Sequence, residues 1–134
     1  LDKKLQAQNT AAGNPNSSQR ATMAFACAVD ANSAEGFHAG VFKAQPATEG
    51  SGFSNDDLSA IAEASGISGD ALITFNDCLT SEKYAGWVAN SYDLFNSEGV
   101  SSTPTGILNG TELAGEVLFD PAQLTAAIEA ATKS

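Results

Sequence analysis

The sequence predicts an α/β chain that is helical for most of its length and ends in one β-hairpin and a last helix. Three observations predict it. Asn109-Gly110 stands between Thr105–Leu108 and Thr111–Ala114, and a two-residue type I′ turn needs the positive φ that this pair adopts most readily. Upstream, apolar and small residues recur at helical spacing, as in Leu58, Ile61, Ala62 and Ser65. Downstream, Asp120, Pro121 and Gln123 make a helix start signal: a capping acid, a proline at the first helical position and a glutamine that completes the box.

At 134 residues the chain is long enough for one domain and too short for two ordinary ones. Sixteen acids against six bases give a formal charge of −10, which repels phosphate backbones and anionic lipid surfaces. That argues against nucleic-acid and membrane-surface partners. The apolar-rich stretches, such as Ala21–Val29, fall far short of the ~20 residues of a membrane span. Cys27 and Cys78 lie 51 positions apart, either as two buried thiols or as a disulfide, which would imply an oxidising compartment. With one histidine and no further thiol, a closed four-ligand zinc site is not expected.

In chain order, Leu1 to Gln8 carries a charged cluster and no clear period, and is read as a strand end or a frayed start. Asn9 to Ser18 is a polar loop of turn formers. Ser17 or Ser18 then caps an alanine-rich helix through Val29, whose small side chains let neighbouring helices approach closely. Ala34 to Gln45 is a second helix with Phe37, Val41 and Phe42 on one face. Gln45 to Gly52 breaks the pattern. Ser54-Asn55-Asp56-Asp57 is a capping arrangement with acids at the positive helix end. A catalytic pairing of Asp56 with Asp57 is disfavoured, because adjacent helical residues do not face one another. Gly66 stops this helix, and Asp70 caps the next, which runs through Leu72, Ile73 and Phe75 to Cys78. Ser81 opens the longest helix, striped by Tyr84, Trp87, Val88, Ser91 and Phe95. In the last helix, Leu124, Ile128 and Ala131 form the face that covers the sheet. The tally is about six helices and one hairpin, and a lone two-stranded hairpin is marginal in water. Two sequons, Asn16-Ser17-Ser18 and Asn109-Gly110-Thr111, are short enough to arise by chance.

The stretch Glu98-Gly99-Val100, Thr103-Pro104-Thr105, Gly106-Ile107-Leu108, Asn109-Gly110 resembles the late part of thioredoxin-fold disulfide oxidoreductases of the DsbA type. Ser18-Gln19-Arg20-Ala21 with Cys27-Ala28 is similar to the opening of the helical insertion in the same family. The resemblance covers nearly all residues from about Ser17 onward. It implies a thioredoxin-like fold with an inserted helical domain, incomplete in this chain. Residues 1–16 would be a remnant of the thioredoxin-like half and a loop, 17–80 the helical insertion, and 81–134 the long helix, the cis-proline loop, the hairpin and the final helix.

By the same resemblance, Pro104 is cis and Thr103 offers its backbone to a substrate strand. Phe37-His38 packs and hydrogen-bonds, and Cys27–Cys78 is a structural disulfide of the actinobacterial extracytoplasmic branch. The family's Cys-x-x-Cys, which does the chemistry, has no counterpart among these residues, so no catalytic residue is assigned in the chain. The pattern begins midway through the family's own, and the parent is expected to be a longer oxidoreductase that forms disulfides in exported proteins. Its partners would be exported substrates with cysteines and a redox partner for reoxidation, with no cofactor, metal or nucleic acid. Its place would be the cell envelope or the exterior, with any membrane anchor in a segment outside these residues. The alternatives are a redox-inactive peptide-binding fragment and a glutathione-using relative of the same fold, whose cytosolic setting would leave both cysteines reduced.

Overall fold

Small side chains decide where the helices of this chain meet. In the computed structural model, residues 3–100 and 104–132 are described, and the chain divides into two compact units, Leu1–Ser91 and Tyr92–Ser134. The first holds helices α1 (Lys3–Ala11), α2 (Ser17–Asp30), α3 (Ala34–Lys43), α4 (Asn55–Ala64) and α5 (Asp70–Thr80), and the boundary falls within α6 (Ala85–Ser97). Helix α2 packs against α3, α4 and α5. Ala24 and Ala28 are fully buried on it, so three neighbours reach its backbone without a void. Around it Met23, Cys27, Phe37, Leu58, Ile61, Ala62, Phe75 and Leu79 close one core. The Phe37 and Phe75 rings meet there at 5.6 Å with a tilt of 53°.

The ends of α4 follow the sequence logic. Ser54 accepts from the Asp57 N–H at 3.1 Å, while Asp57 accepts from the Ser54 N–H at 2.8 Å and from its hydroxyl at 2.7 Å. The hydroxyl of Ser54, and then its backbone N–H, hold the Asp57 carboxyl below its ordinary value. At the other end Gly66, with φ at 97°, donates to the Glu63 carbonyl and Ile67 to the Ala62 carbonyl, which satisfies two helix-end acceptors.

Several expectations are corrected. Within the stretch expected as a strand end or frayed start, Lys3 to Gln8 is helical, because α1 runs from Lys3 to Ala11 through residues that favour helix and include no β-branched side chain before Thr10. Ser17 and Ser18 do not cap α2. Asn16 occupies that position with φ at 57° and makes no side-chain cap bond. The buried Ser17 hydroxyl instead accepts from the Phe53 N–H at 2.6 Å. Gly52 makes this possible, since its φ is 69° and a Cβ there would stand 2.5 Å from the Ser17 side chain. Asp70 is the first residue of α5 rather than its cap, which is Gly69. Ser81 closes α5 instead of opening α6, and the longest helix is α2. Phe42, Ile73 and Trp87 share the helical spacing of the apolar stripes but face outward, at 67%, 61% and 48% exposure.

The second unit contains strands β1 (Ile107–Leu108) and β2 (Thr111–Glu112), a short α7 (Gly115–Leu118) that spacing did not predict, and α8 (Pro121–Thr132). The strands pair antiparallel, Ile107 opposite Glu112 and Leu108 opposite Thr111. Asn109 and Gly110 take φ of 49° and 80°, the type I′ pattern expected of them. Asp120 caps α8, accepting from the Ala122 and Gln123 N–H groups at 2.9 and 3.2 Å. The Gln123 amide donates to the Asp120 side chain at 2.9 Å rather than closing on its backbone. No described residue of α8 is buried, and Ile128 is 45% exposed, so Leu124, Ile128 and Ala131 do not form a buried face. Replacing Ser54 by Ala removes one half of the α4 capping box and is expected to cost about 1 kcal/mol in urea unfolding. Unchanged stability would show that the box contributes nothing.

Candidate functional site

The two cysteines project from facing turns of α2 and α5 and are joined, with sulfurs 2.04 Å and Cα atoms 6.0 Å apart. Cys27 is 1% and Cys78 8% exposed, and neither is free. Burial rather than bond chemistry decides what this disulfide can do. Exchange needs a thiolate to reach a sulfur, and an exchanging cysteine sits in a partly exposed, electropositive setting. Here both cysteines belong to the core cluster that holds Phe75 and Ala28, and they line one side of a cavity of about 400 Å³ together with Asp30, Asp77 and Lys83. The bond is a brace between helices.

Asp30 anchors the corner above that brace. Its carboxylate accepts from Lys83 Nζ at 2.7 Å and from the Tyr84 hydroxyl at 2.8 Å, and the Lys83 ammonium lies 5.0 Å from the centre of the Tyr84 ring. The Lys83 bond, then that of Tyr84, holds the Asp30 carboxyl below its ordinary range, and Asp30 in turn raises Lys83. Both side chains are about half exposed, so this ion pair contributes little to stability. His38 is exposed and lies between Phe25, at 6.1 Å edge-on, and Phe42, at 4.8 Å. Packing is its observed role, without a hydrogen bond among the described residues. No group of three or more potential ligands for a metal occurs among them either.

The proline loop belongs to the second unit. Pro104 is exposed and precedes β1. Thr103, and with it the Thr103–Pro104 bond expected to be cis, lies outside the described residues. Beyond Pro104 the Leu113 N–H donates to the Gly106 carbonyl at 2.8 Å, which extends the pairing one step past the strands. Gly106 passes under Leu118 of α7, whose Cδ2 would stand 2.4 Å from a Cβ at this position. Because bonded and non-bonded pairs alternate along an antiparallel ladder, Ile107 turns its backbone N–H and C=O away from β2. Among the described residues no backbone hydrogen bond reaches those two groups of Ile107.

Spacing did not reveal Arg20 as a clamp. Its guanidinium donates to the Pro15 carbonyl and, at 2.6 Å, to the Phe53 carbonyl, tying two loops to α2. The available signal was its place in Ser18-Gln19-Arg20-Ala21. The Asp30, Lys83 and Tyr84 cluster has no local signature, because Asp30 lies 53 and 54 positions from its two partners.

Replacing Cys27 and Cys78 together by Ala is expected to lower the unfolding free energy by about 4 kcal/mol on the chain-entropy account, read by denaturant unfolding under non-reducing conditions. Wild-type stability in that variant would remove the brace. Because the folded Asp30 pKa lies below 3.8, its contribution is whole above that value and is lost as pH falls through the folded pKa. The Lys83 contribution is whole below 10.5 and is lost as pH rises through its raised value. The melting-temperature gap between the chain and Lys83→Met should therefore be flat near neutrality and narrow at both extremes. A gap that is constant across the whole pH range would contradict this.

Residues 7–130 match a family model described as Thioredoxin. No curated protein and no solved structure matches the chain. The matched span runs from within α1 through the other helices of the first unit, the proline loop, the hairpin and nearly all of α8. By this match the chain belongs to the thioredoxin family, with its thioredoxin-like α/β fold and the redox-type function that the family suggests.

Proposed function

We propose that this chain is the helical and proline-loop part of a DsbA-type thiol-disulfide oxidoreductase that forms disulfides in exported proteins. One observation carries the reading. The only disulfide of the chain is buried and braces α2 to α5, which is the structural role that the resemblance assigns to a bond within the helical insertion. Family membership supports the redox class, and the Thr103-Pro104-Thr105 segment leading into an open strand edge supports the substrate role.

In this reading residues 17–80 are the insertion, and 1–16 with 81–134 belong to the thioredoxin-like half. The exchanging Cys-x-x-Cys is supplied by a segment ahead of Leu1. A substrate thiolate attacks that disulfide to give a mixed disulfide. A second substrate thiolate then displaces the enzyme sulfur, leaving the substrate oxidised and the Cys-x-x-Cys reduced. A redox partner reoxidises it. Thr103 and Pro104 align the substrate backbone by strand addition. Cys27 and Cys78 take no part in exchange, and the brace suits an oxidising, extracytoplasmic setting. No cofactor or metal enters these steps.

A second reading rests on one fact: the chain has no free thiol and no Cys-x-x-Cys of its own. It would bind extended peptides at the β1 edge without turnover. Disulfide formation in a reduced, unfolded substrate distinguishes the two when assayed on the protein as its source makes it, with N-terminal sequencing alongside. The oxidoreductase reading expects a Cys-x-x-Cys ahead of Leu1 and turnover that survives Cys27→Ala with Cys78→Ala. A mature start at Leu1 with peptide binding and no turnover favours the second reading. Turnover abolished by Cys27→Ser would overturn both, along with the structural role of the brace.

A further inference from the structure

Asn109-Gly110 is the only Asn-Gly step in the chain, and the structure leaves it chemically open. Both residues are exposed at the hairpin tip, and nothing lies within 4 Å of a Cβ position on Gly110. The Gly110 backbone N–H makes no hydrogen bond among the described residues. An asparagine side-chain carbonyl is attacked by the following backbone nitrogen when that nitrogen is uncrowded and free to lose its proton. We propose that Asn109 is a site of spontaneous succinimide formation, and that its isoaspartyl product uncouples β1 from β2.

The step balances with water alone. Base removes the Gly110 N–H proton, the nitrogen bonds to Asn109 Cγ, and the Cγ–Nδ2 bond breaks. Nδ2 takes up a proton and leaves as ammonia. Water then opens the ring at either carbonyl, giving aspartate, or isoaspartate when the main chain passes through Cγ. Closure requires Asn109 to rotate out of its turn conformation, so the hairpin must open first. That opening costs little: each strand is two residues long, and no described residue from 92 to 132 is buried.

The other asparagines lack one or more of these conditions. Asn14 precedes Pro15, which has no N–H. Asn32 shares the positive φ, at 54°, but the next N–H, of Ser33, donates to the Ala28 carbonyl at 2.9 Å. Asn16, with φ at 57°, is followed by Ser17, which is 3% exposed. Asn9, Asn55, Asn76, Asn90 and Asn96 stand in helices, each before a residue whose side chain crowds the nitrogen. Isoaspartate at Asn109 lengthens the turn by one backbone atom, which a two-residue type I′ turn cannot absorb. The Ile107–Glu112 and Leu108–Thr111 register is then lost. The aspartyl product keeps the backbone and adds a negative charge near Glu112.

The test holds the full chain in mildly alkaline buffer and follows it by peptide mass mapping, beside Asn109→Gly and a sample unfolded in urea. The expected result in the folded chain is amide-to-acid conversion at Asn109 ahead of every other asparagine, with isoaspartyl product in excess. The isoaspartyl fraction also loses hydrogen-exchange protection at the Leu113 N–H. Asn109→Gly has no side-chain amide to convert, keeps the positive φ of the turn and retains that protection. Deamidation that begins at another asparagine of the folded chain, or that reaches Asn109 only in urea, overturns the site. An isoaspartyl chain that keeps the Leu113 protection overturns the uncoupling.

Discussion

The close approach of α2 and α5, sealed by the Cys27–Cys78 bond, is the constraint on which the first unit depends. It exists because α2 presents alanines where its neighbours need room, and because Phe75 sits one turn before Cys78 and fills the space beside Phe37. A cross-link across 51 positions limits the unfolded chain, while the packing around it leaves Cys27 1% and Cys78 8% exposed. The two effects reinforce each other: the bond stabilises the core that shields it. Arg20 and Ser17 then bind the surrounding loops to the same helix through the Pro15 and Phe53 backbones.

The second unit is built on other terms. None of its described residues is buried, and Ile107, Phe119 and Ile128 are 54%, 75% and 45% exposed. Its shape comes from local chemistry: the Asn109-Gly110 turn, the Asp120 cap and the passage of Gly106 under Leu118. Such a unit opens easily, which exposes its turn to solvent chemistry. The same outward-facing strand edge thus underlies the proposed substrate role, and the same turn underlies the proposed modification.

Where structure is decided within a few residues, it was legible in the sequence. Asn109-Gly110, the Ser54–Asp57 box, the Gly66 stop and the Asp120 cap each depend on side chains that bond their own neighbours. Where burial decides, spacing misled. Phe42 and Ile73 have the right period but lie beyond the edge of the α2-centred core, and Ile128 belongs to a unit without one. Ser17 has the residue type of a cap but found a partner 36 positions away in Phe53. Helix α1 leaves no period in the sequence because its apolar residues are too few, although its residue types favour helix. The pairing of Cys27 with Cys78 was open on the residues alone and came only from resemblance, because a bond between two distant helices leaves no local trace.

The most direct measurement is a thiol count on the denatured, unreduced chain, joined to a map of its disulfide-linked peptides. The account predicts no free thiol and a single linked pair containing Cys27 and Cys78. Two free thiols in protein recovered without reductant would contradict the brace, and would return the chain to the reduced, glutathione-using branch of the thioredoxin fold.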